Sequence, residues 1–211
     1  LMRQFWLAKK DKKKVSLFPY VVGKKVKFKI VGTGYEPMPP GFDPEAGTVA
    51  RAVATCPVCG GVVEGKTTRR LFHEGKASQI MVAVVTSKGG TNGKRYRIAT
   101  DNDMAIFQVA ENYLEAKRAK LMGEWGIDPV PDEPLPPQNS HRSVGSQLPL
   151  YDFESWGDLF NHRQQLAIIT FTEKIRQVLD KAIGERNDIV YSRIIASYLA
   201  LVLDRLVTRN S

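Results

Sequence analysis

Cys56 and Cys59 are the residues of this chain whose types and spacing are best suited to chemistry. They form the run Cys56-Pro57-Val58-Cys59-Gly60, the usual turn by which a zinc ribbon presents two thiolates to one metal. Structural zinc takes four ligands in a tetrahedron, and these are the only two cysteines among 211 residues. Four readings are open at this point. The pair is half of a four-cysteine site, a site to which His73 adds a third ligand, a redox centre, or two buried thiols. Redox Cys-x-x-Cys pairs normally sit where a strand of an α/β sheet meets a helix N-terminus. Here Gly60-Gly61-Val62-Val63 follows, which points to a β-turn and a strand.

The second chemical feature is charge. The net charge is +9, and residues 1–30 hold ten Lys/Arg against Asp11, leaving 21 of each sign in the remainder. The pI of about 9.6 therefore describes one segment. Lys9, Lys10, Lys12, Lys13, Lys14, Lys24, Lys25, Lys27 and Lys29, joined later by Arg95 and Arg97, suit contact with a polyanion, DNA above all. Each phosphate neutralised adds a counterion-release contribution, so binding would be salt-dependent and mostly sequence-blind. The alternative is a solvated terminus. Phe5 and Trp6 could stack on bases but are expected to anchor the terminus to the core.

These groups must be positioned by the elements around them. Residues 1–99 read as β-rich. Runs at 15–22 and 25–31 flank Gly23-Lys24, a pair suited to a two-residue type II′ hairpin turn. Val26, Phe28 and Ile30 alternate with Lys25, Lys27 and Lys29, which puts apolar side chains on one face and ammonium groups on the other. A strand is expected over 48–55, leading into the cysteine turn, and a buried strand over 80–86. A glycine-rich turn is expected over 88–94, then a short strand at 95–98 with both arginines on one side.

Residues 100–125 read as a connecting helix capped by Thr100, with Asp101 and Asp103 favourable in its first turn. Met104, Phe107, Ala110, Leu114 and Leu121 form its apolar stripe. Six prolines within 126–150 predict an extended crossing segment or linker. Residues 151–211 read as helical: a short turn at 155–160, a long helix from His162 and another from Asp188. The last should bury Ile194, Ile195, Tyr198, Leu201, Val202 and Leu206. The fold class expected is α+β, a small β-rich, zinc-ribbon-like module followed by a mostly helical part.

Catalytic patterns are lacking in the sequence. It contains no dinucleotide-binding or phosphate-binding glycine motif, and His73, His141 and His162 share no spacing with a nucleophile. Asp152, Glu154 and Asp158 cluster, but over a loop and a helix start. No apolar run of 18 residues offers a membrane span, and the cysteine usage suits a reducing cytoplasm.

The run Ser155-Trp156-Gly157-Asp158-Leu159-Phe160-Asn161-His162-Arg163-Gln164 resembles a Trp-Gly-Asp-Leu-Phe-x-x-Arg-Gln block of adenine-specific DNA methylases that contain a zinc ribbon. Phe5-Trp6-Leu7-Ala8-Lys9-Lys10, the cysteine turn, Gly93-Lys94-Arg95-Tyr96-Arg97, the stretch from Tyr198 to Leu206 and Asn210-Ser211 are similar in the same order, so the resemblance spans nearly the whole chain. It implies that a first Cys-Pro-x-Cys pair lies upstream of the segment matching Phe5 to Lys10, that the S-adenosylmethionine motif of Asp-Pro-Phe-x-Gly-Gly-Gly type precedes the ribbon, and that the catalytic Asp-Pro-Pro-Tyr motif follows the final helix. Neither motif occurs in these 211 residues. The resemblance thus implies an internal, non-catalytic segment of a prokaryotic restriction or phage-defence methylase. In it Cys56 and Cys59 are half of a zinc site, and S-adenosylmethionine belongs to the parent protein only. Its partners would be DNA and the rest of the methylase chain, with no membrane. Packing against the methylase core without touching DNA is the alternative. Within the motif, Trp156 is expected as a buried anchor. Asp158 with Arg163 is expected as a helix-entry or ion-pair arrangement that orients the long helix, with Gln164 beside them, the alternative for Arg163 being a DNA phosphate contact.

Overall fold

The computed structural model describes residues 1–87, 93–137, 148–186 and 188–210. The chain is α+β and divides into two compact units, Leu1–Asp101 and Asn102–Ser211. Residues 138–147 of the expected proline-rich segment, with His141 among them, and most of the glycine-rich turn at 88–94 lie outside the described residues.

In the first unit, β1 (Trp6–Lys10), β2 (Lys13–Val22) and β3 (Lys25–Gly32) form an antiparallel sheet in the order β1-β2-β3. Val22 pairs with Lys25 across a two-residue turn. Gly23 there takes φ +63° while Lys24 keeps a negative φ, the pattern of a Gly-X type II′ turn. Leu17 donates its N–H to the Phe5 carbonyl at 2.9 Å. The ring nitrogen of Pro19 points the same way, past the end of β1, where no ladder bond is lost.

One face of this sheet buries Val15, Leu17 and Ile30 with Tyr96, flanked by Val82, Ala83 and Ile98. Tyr96 belongs to a ribbon of β7 (Ala83–Ser87) and β8 (Lys94–Ile98). The Tyr35 hydroxyl ties this ribbon down, donating to the Tyr96 carbonyl at 2.9 Å and accepting the Tyr96 N–H at 2.7 Å. On the other face Ser16 and Val31 are fully buried. There Phe42 meets Phe18 edge-on at 4.9 Å. Phe5, which belongs to the same core cluster as Val15 and Leu17, donates its N–H to the Pro44 carbonyl.

Two strand expectations need correction. Residues 80–86 are not one buried strand: β7 begins only at Ala83, Ile80 before it is 77% exposed, and Val85 within the ribbon is 51% exposed. Residues 48–55 are not one strand either. They fold into a second sheet as β4 (Val49–Ala50) and β5 (Val53–Thr55), with β6 (Val62–Val63) beside β5. The β4–β5 turn is Arg51-Ala52, both at positive φ, 49° and 65°. Helix α1 (Gly65–His73) follows.

In the second unit, α2 (Asp101–Trp125), α3 (His162–Arg186) and α4 (Ile189–Asn210) are joined by irregular chain and two short 3-10 turns, Leu148–Tyr151 and Gly157–Leu159. Leu114 and Leu121 of α2 form a core with Ile169 of α3 and with Val130. Val130 and Leu135 are both 5% exposed, so the described part of the proline-rich stretch contributes two residues to buried structure. Arg118 grips Asp128 through two nitrogens, its Nε at 2.8 and 2.9 Å. The Arg176 guanidinium lies 4.1 Å from the Trp125 ring centroid. The expected inward stripe of α4 is largely exposed, with Tyr198 67%, Leu201 66% and Val202 60% accessible. Among the described residues nothing packs over that side of α4.

Candidate metal knuckle and basic hairpin

The two cysteines sit in the turn between β5 and β6, whose pairs Ala54–Val63 and Thr55–Val62 bring its ends together. Cys56 donates its N–H to the Gly61 carbonyl at 2.8 Å, and Gly60 donates to the Cys56 carbonyl at 2.9 Å. Gly60 takes φ +71°, a conformation that glycine adopts without cost. The turn folds its own amides onto sulfur. The backbone N–H of Cys59, then that of Val58, bonds the Cys56 sulfur, and with the Cys59 thiol these hold the Cys56 thiol below its ordinary range. Donors aimed at sulfur favour thiolate, the form that ligates metal.

Cys56 is half-buried, Cys59 is exposed, and both are free thiols. As a donor set they fit two corners of a zinc tetrahedron. Among the described residues no group of three or more His, Cys, Asp or Glu could hold a metal, so His73 does not complete a site here. The redox alternative lacks its setting, since the pair lies on a β-turn and α1 begins only at Gly65. Beside the turn is an apolar cleft of about 340 Å³ whose walls include Leu1, Met2, Phe28, Cys56 and Pro57. Met2 is fixed there by its carbonyl, which accepts the N–H of Thr48 at 2.7 Å.

The lysines divide into engaged and unengaged groups. Lys9 pairs with Glu45, and Lys29 with Glu36 at 2.6 Å. Lys13 donates to the Lys94 carbonyl and lies 5.3 Å from the Tyr96 ring centroid. Lys10, Lys12, Lys14, Lys24, Lys25 and Lys27 have no carboxylate partner among the described residues, and all six are exposed. Lys24, Lys25 and Lys27 share the β2–β3 hairpin tip. Arg95 and Arg97 are exposed on β8, on either side of buried Tyr96. Of the two candidate stacking aromatics, Phe5 is 4% exposed and is an anchor. Trp6 is half-buried, with Lys9 Nζ 5.9 Å from its ring centroid.

The Trp156 motif is a structural clasp at the entry to α3. Asp158 accepts the N–H groups of Glu154 and Ser155 at 2.9 and 2.7 Å. Burial, the largest single effect, pushes its carboxyl pKa up, but the bonds from Ser155 and Glu154 with the nearby Arg118 charge together bring it below the ordinary range. Trp156 and Gly157 donate to the Glu133 and Pro131 carbonyls at 3.1 and 3.0 Å. Gln165 donates to the Gly157 carbonyl at 2.9 Å. Asn161 and Gln164 cap α3 reciprocally. His162 Nδ1 lies 2.7 Å from Glu111 Oε1 of α2. Two expectations are corrected. Asp158 spends its oxygen on the local turn and makes no ion pair with Arg163, which is exposed. Trp156 is 39% exposed, because the clasp uses its backbone and leaves the indole outward.

Sequence reasoning missed Glu36 and Glu45, which neutralise two of the lysines, and Tyr20, the exposed aromatic of the hairpin. Period-two alternation could have placed Tyr20 on the lysine face. No signal in the sequence could have paired the glutamates. Compared with known proteins, the chain matches no family model, no curated protein and no solved structure. No described helix is long and apolar enough to cross a membrane.

Proposed function

We propose that this chain is a non-catalytic segment of a DNA adenine-specific methyltransferase of the prokaryotic cytoplasm, contacting or positioning DNA for a catalytic core. The observation that carries the DNA contact is the hairpin tip, where Lys24, Lys25 and Lys27 are exposed and without carboxylate partners. Three adjacent ammonium groups neutralise phosphates without reading sequence. The enzyme identity rests on the motif resemblance. S-adenosylmethionine binding and methyl transfer are assigned to other parts of the parent protein, because the motifs they need are missing from these residues.

In this reading Cys56 and Cys59 hold two positions of a structural, ribbon-type zinc site, and zinc would fix the β5–β6 turn to a second pair of thiolates. The cleft shared by Leu1, Met2, Cys56 and Pro57 supports this, since it brings the chain leading into Phe5 beside the cysteine turn. That is the direction from which the resemblance supplies the missing pair.

Salt-titrated fluorescence anisotropy with duplex DNA tests the DNA contact. Every phosphate that ceases to be neutralised should flatten the slope of log K against log salt by about 0.9. Changing Lys25 and Lys27 to glutamate should therefore weaken binding and flatten that slope by roughly 2. Unaltered affinity would reject the hairpin as the DNA contact.

A second reading, a module that packs on the methylase core without touching DNA, is favoured by α4. Tyr198, Leu201 and Val202 present an apolar face there that this chain does not cover. Under that reading the glutamate variants bind DNA as the unaltered chain does.

A further inference from the structure

The β2–β3 register puts Tyr20 opposite Lys27, Val22 opposite Lys25 and Phe18 opposite Lys29. Opposed residues of an antiparallel pair share a face, with Cβ atoms about 5 Å apart. This face is closed at one end and open at the other. At the closed end Phe18 packs edge-on against Phe42, and Lys29 is bonded to Glu36, its Nζ 5.6 Å from the Phe18 ring centroid. The cover stops there. Tyr20 is the next residue outward on that face, 38% exposed, and Val22 beyond it is 50% exposed.

Tyr20 also differs from its aromatic neighbours in having nothing over its ring. Trp6 lies beneath Lys9 and Phe18 beneath Lys29, whereas Tyr20 has no ring partner, cation or hydrogen bond among the described residues. The nearest charges across the strand are Lys27 and Lys25, neither held by a carboxylate.

We infer that this open end of the hairpin binds single-stranded DNA, an unpaired base stacking on Tyr20 while Lys25 and Lys27 neutralise the flanking phosphates. The inference rests on the DNA-contact reading above and specifies its ligand. A base in a duplex is stacked on both faces and cannot offer one to a side chain, so duplex DNA would engage the lysines alone. A base freed from its stack presents a π-face of any sequence to the phenol ring.

The test uses a short fluorescein-labelled oligothymidylate and a duplex of the same length at low salt, with the whole chain and its variants. Tyr20→Ala should weaken the single strand by about 5- to 150-fold and leave the duplex affinity unchanged, while Tyr20→Phe keeps both. Tyr20→Leu, which retains apolar bulk without a π-face, should behave as the alanine variant does. Circular dichroism spectra matching the unaltered chain exclude misfolding. If Tyr20→Ala weakens neither ligand, or both alike, the stacking inference is overturned and the lysine contact stands. If Lys25→Glu with Lys27→Glu leaves both affinities unchanged, the DNA-contact reading fails and this inference with it.

Discussion

The Asn161 side-chain oxygen accepts the backbone N–H of Gln164 at 3.1 Å while the Gln164 side chain accepts the Asn161 N–H at 2.9 Å. Two donors at the start of α3 that would otherwise have no helical acceptor are thereby satisfied reciprocally. The Asn-His-Arg-Gln run of the motif therefore has a physical reason for its spacing that involves no ligand. Replacing Asn161 by alanine should destabilise the second unit by about 1 kcal/mol. Gln164→Ala should cost less, and the double variant less than the sum, because either change already breaks the box. Urea unfolding followed by far-UV circular dichroism measures all three.

Gly157 should tolerate no side chain. A Cβ there would come within 2.6 Å of the Pro131 carbonyl oxygen and 2.7 Å of Val130 Cγ1, and the carbonyl already holds the Gly157 N–H. Gly157→Ala should cost about 1–3 kcal/mol, as overpacking does. At Gly123, near the end of α2, a Cβ would meet nothing within 4 Å. Gly123→Ala should stabilise by about 0.5–1 kcal/mol through helix propensity. Opposite signs in urea midpoints from the same chemical change are the expected result.

Arg51 and Ala52 both occupy the left-handed region, where a side chain costs about 1–2 kcal/mol per residue. A two-residue turn with positive φ at both centres favours Asn-Gly. Arg51→Asn with Ala52→Gly should stabilise the first unit by about 1 kcal/mol after the added chain entropy of glycine is subtracted. The thermal midpoint should rise, and a fall would mean the contact between Ala52 and the start of α1 matters more than strain.

This turn also marks where the sequence stops being readable. The β2–β3 hairpin was legible because Gly23-Lys24 is a turn pair and Val26, Phe28 and Ile30 keep strict alternation. The cysteine turn was legible because glycine follows it. Arg51-Ala52 offers no turn residue, so the break in 48–55 is set by pairing β5 with β6 and not by local preference. Charge was readable as a sum and not as an arrangement. Glu36 and Glu45 lie 7 and 36 residues from the lysines they neutralise, and only the covering loop brings them together. In α4 the apolar period was clear, yet periodicity names a face without naming what packs on it.

Glu173 is buried in α3 with Lys117 Nζ at 2.6 Å and Lys120 Nζ at 3.5 Å, both from α2. The Lys117 bond, opposed in part by burial, holds its carboxyl below the ordinary glutamate range. A carboxyl lowered on folding stabilises the fold above its unfolded pKa, and that contribution is lost as pH falls through the folded value. Glu173→Gln should lower stability by roughly 1 kcal/mol at neutral pH and flatten the acid side of the stability profile. Urea midpoints measured from neutral pH downward should therefore converge for the two chains. Parallel curves would mean that the carboxylate contributes nothing specific.

Cys56 should react as a thiol with a lowered pKa. The amides of Cys59 and Val58 bond its sulfur in the folded turn, and unfolding removes them. Alkylation of Cys56 with iodoacetamide, followed by peptide mass spectrometry across pH, should reach half-maximal rate below the value of about 8.5 for a free thiol. In denaturant the midpoint should return to that value. Val58→Pro deletes one N–H donor and should move the folded midpoint upward, while Val58→Ala should leave it in place. The comparison isolates the amide from the side chain, because only proline lacks the hydrogen. Equal midpoints for the two variants would mean that the Val58 amide does not tune the sulfur, and the turn would then lose part of its case as a pre-shaped metal half-site.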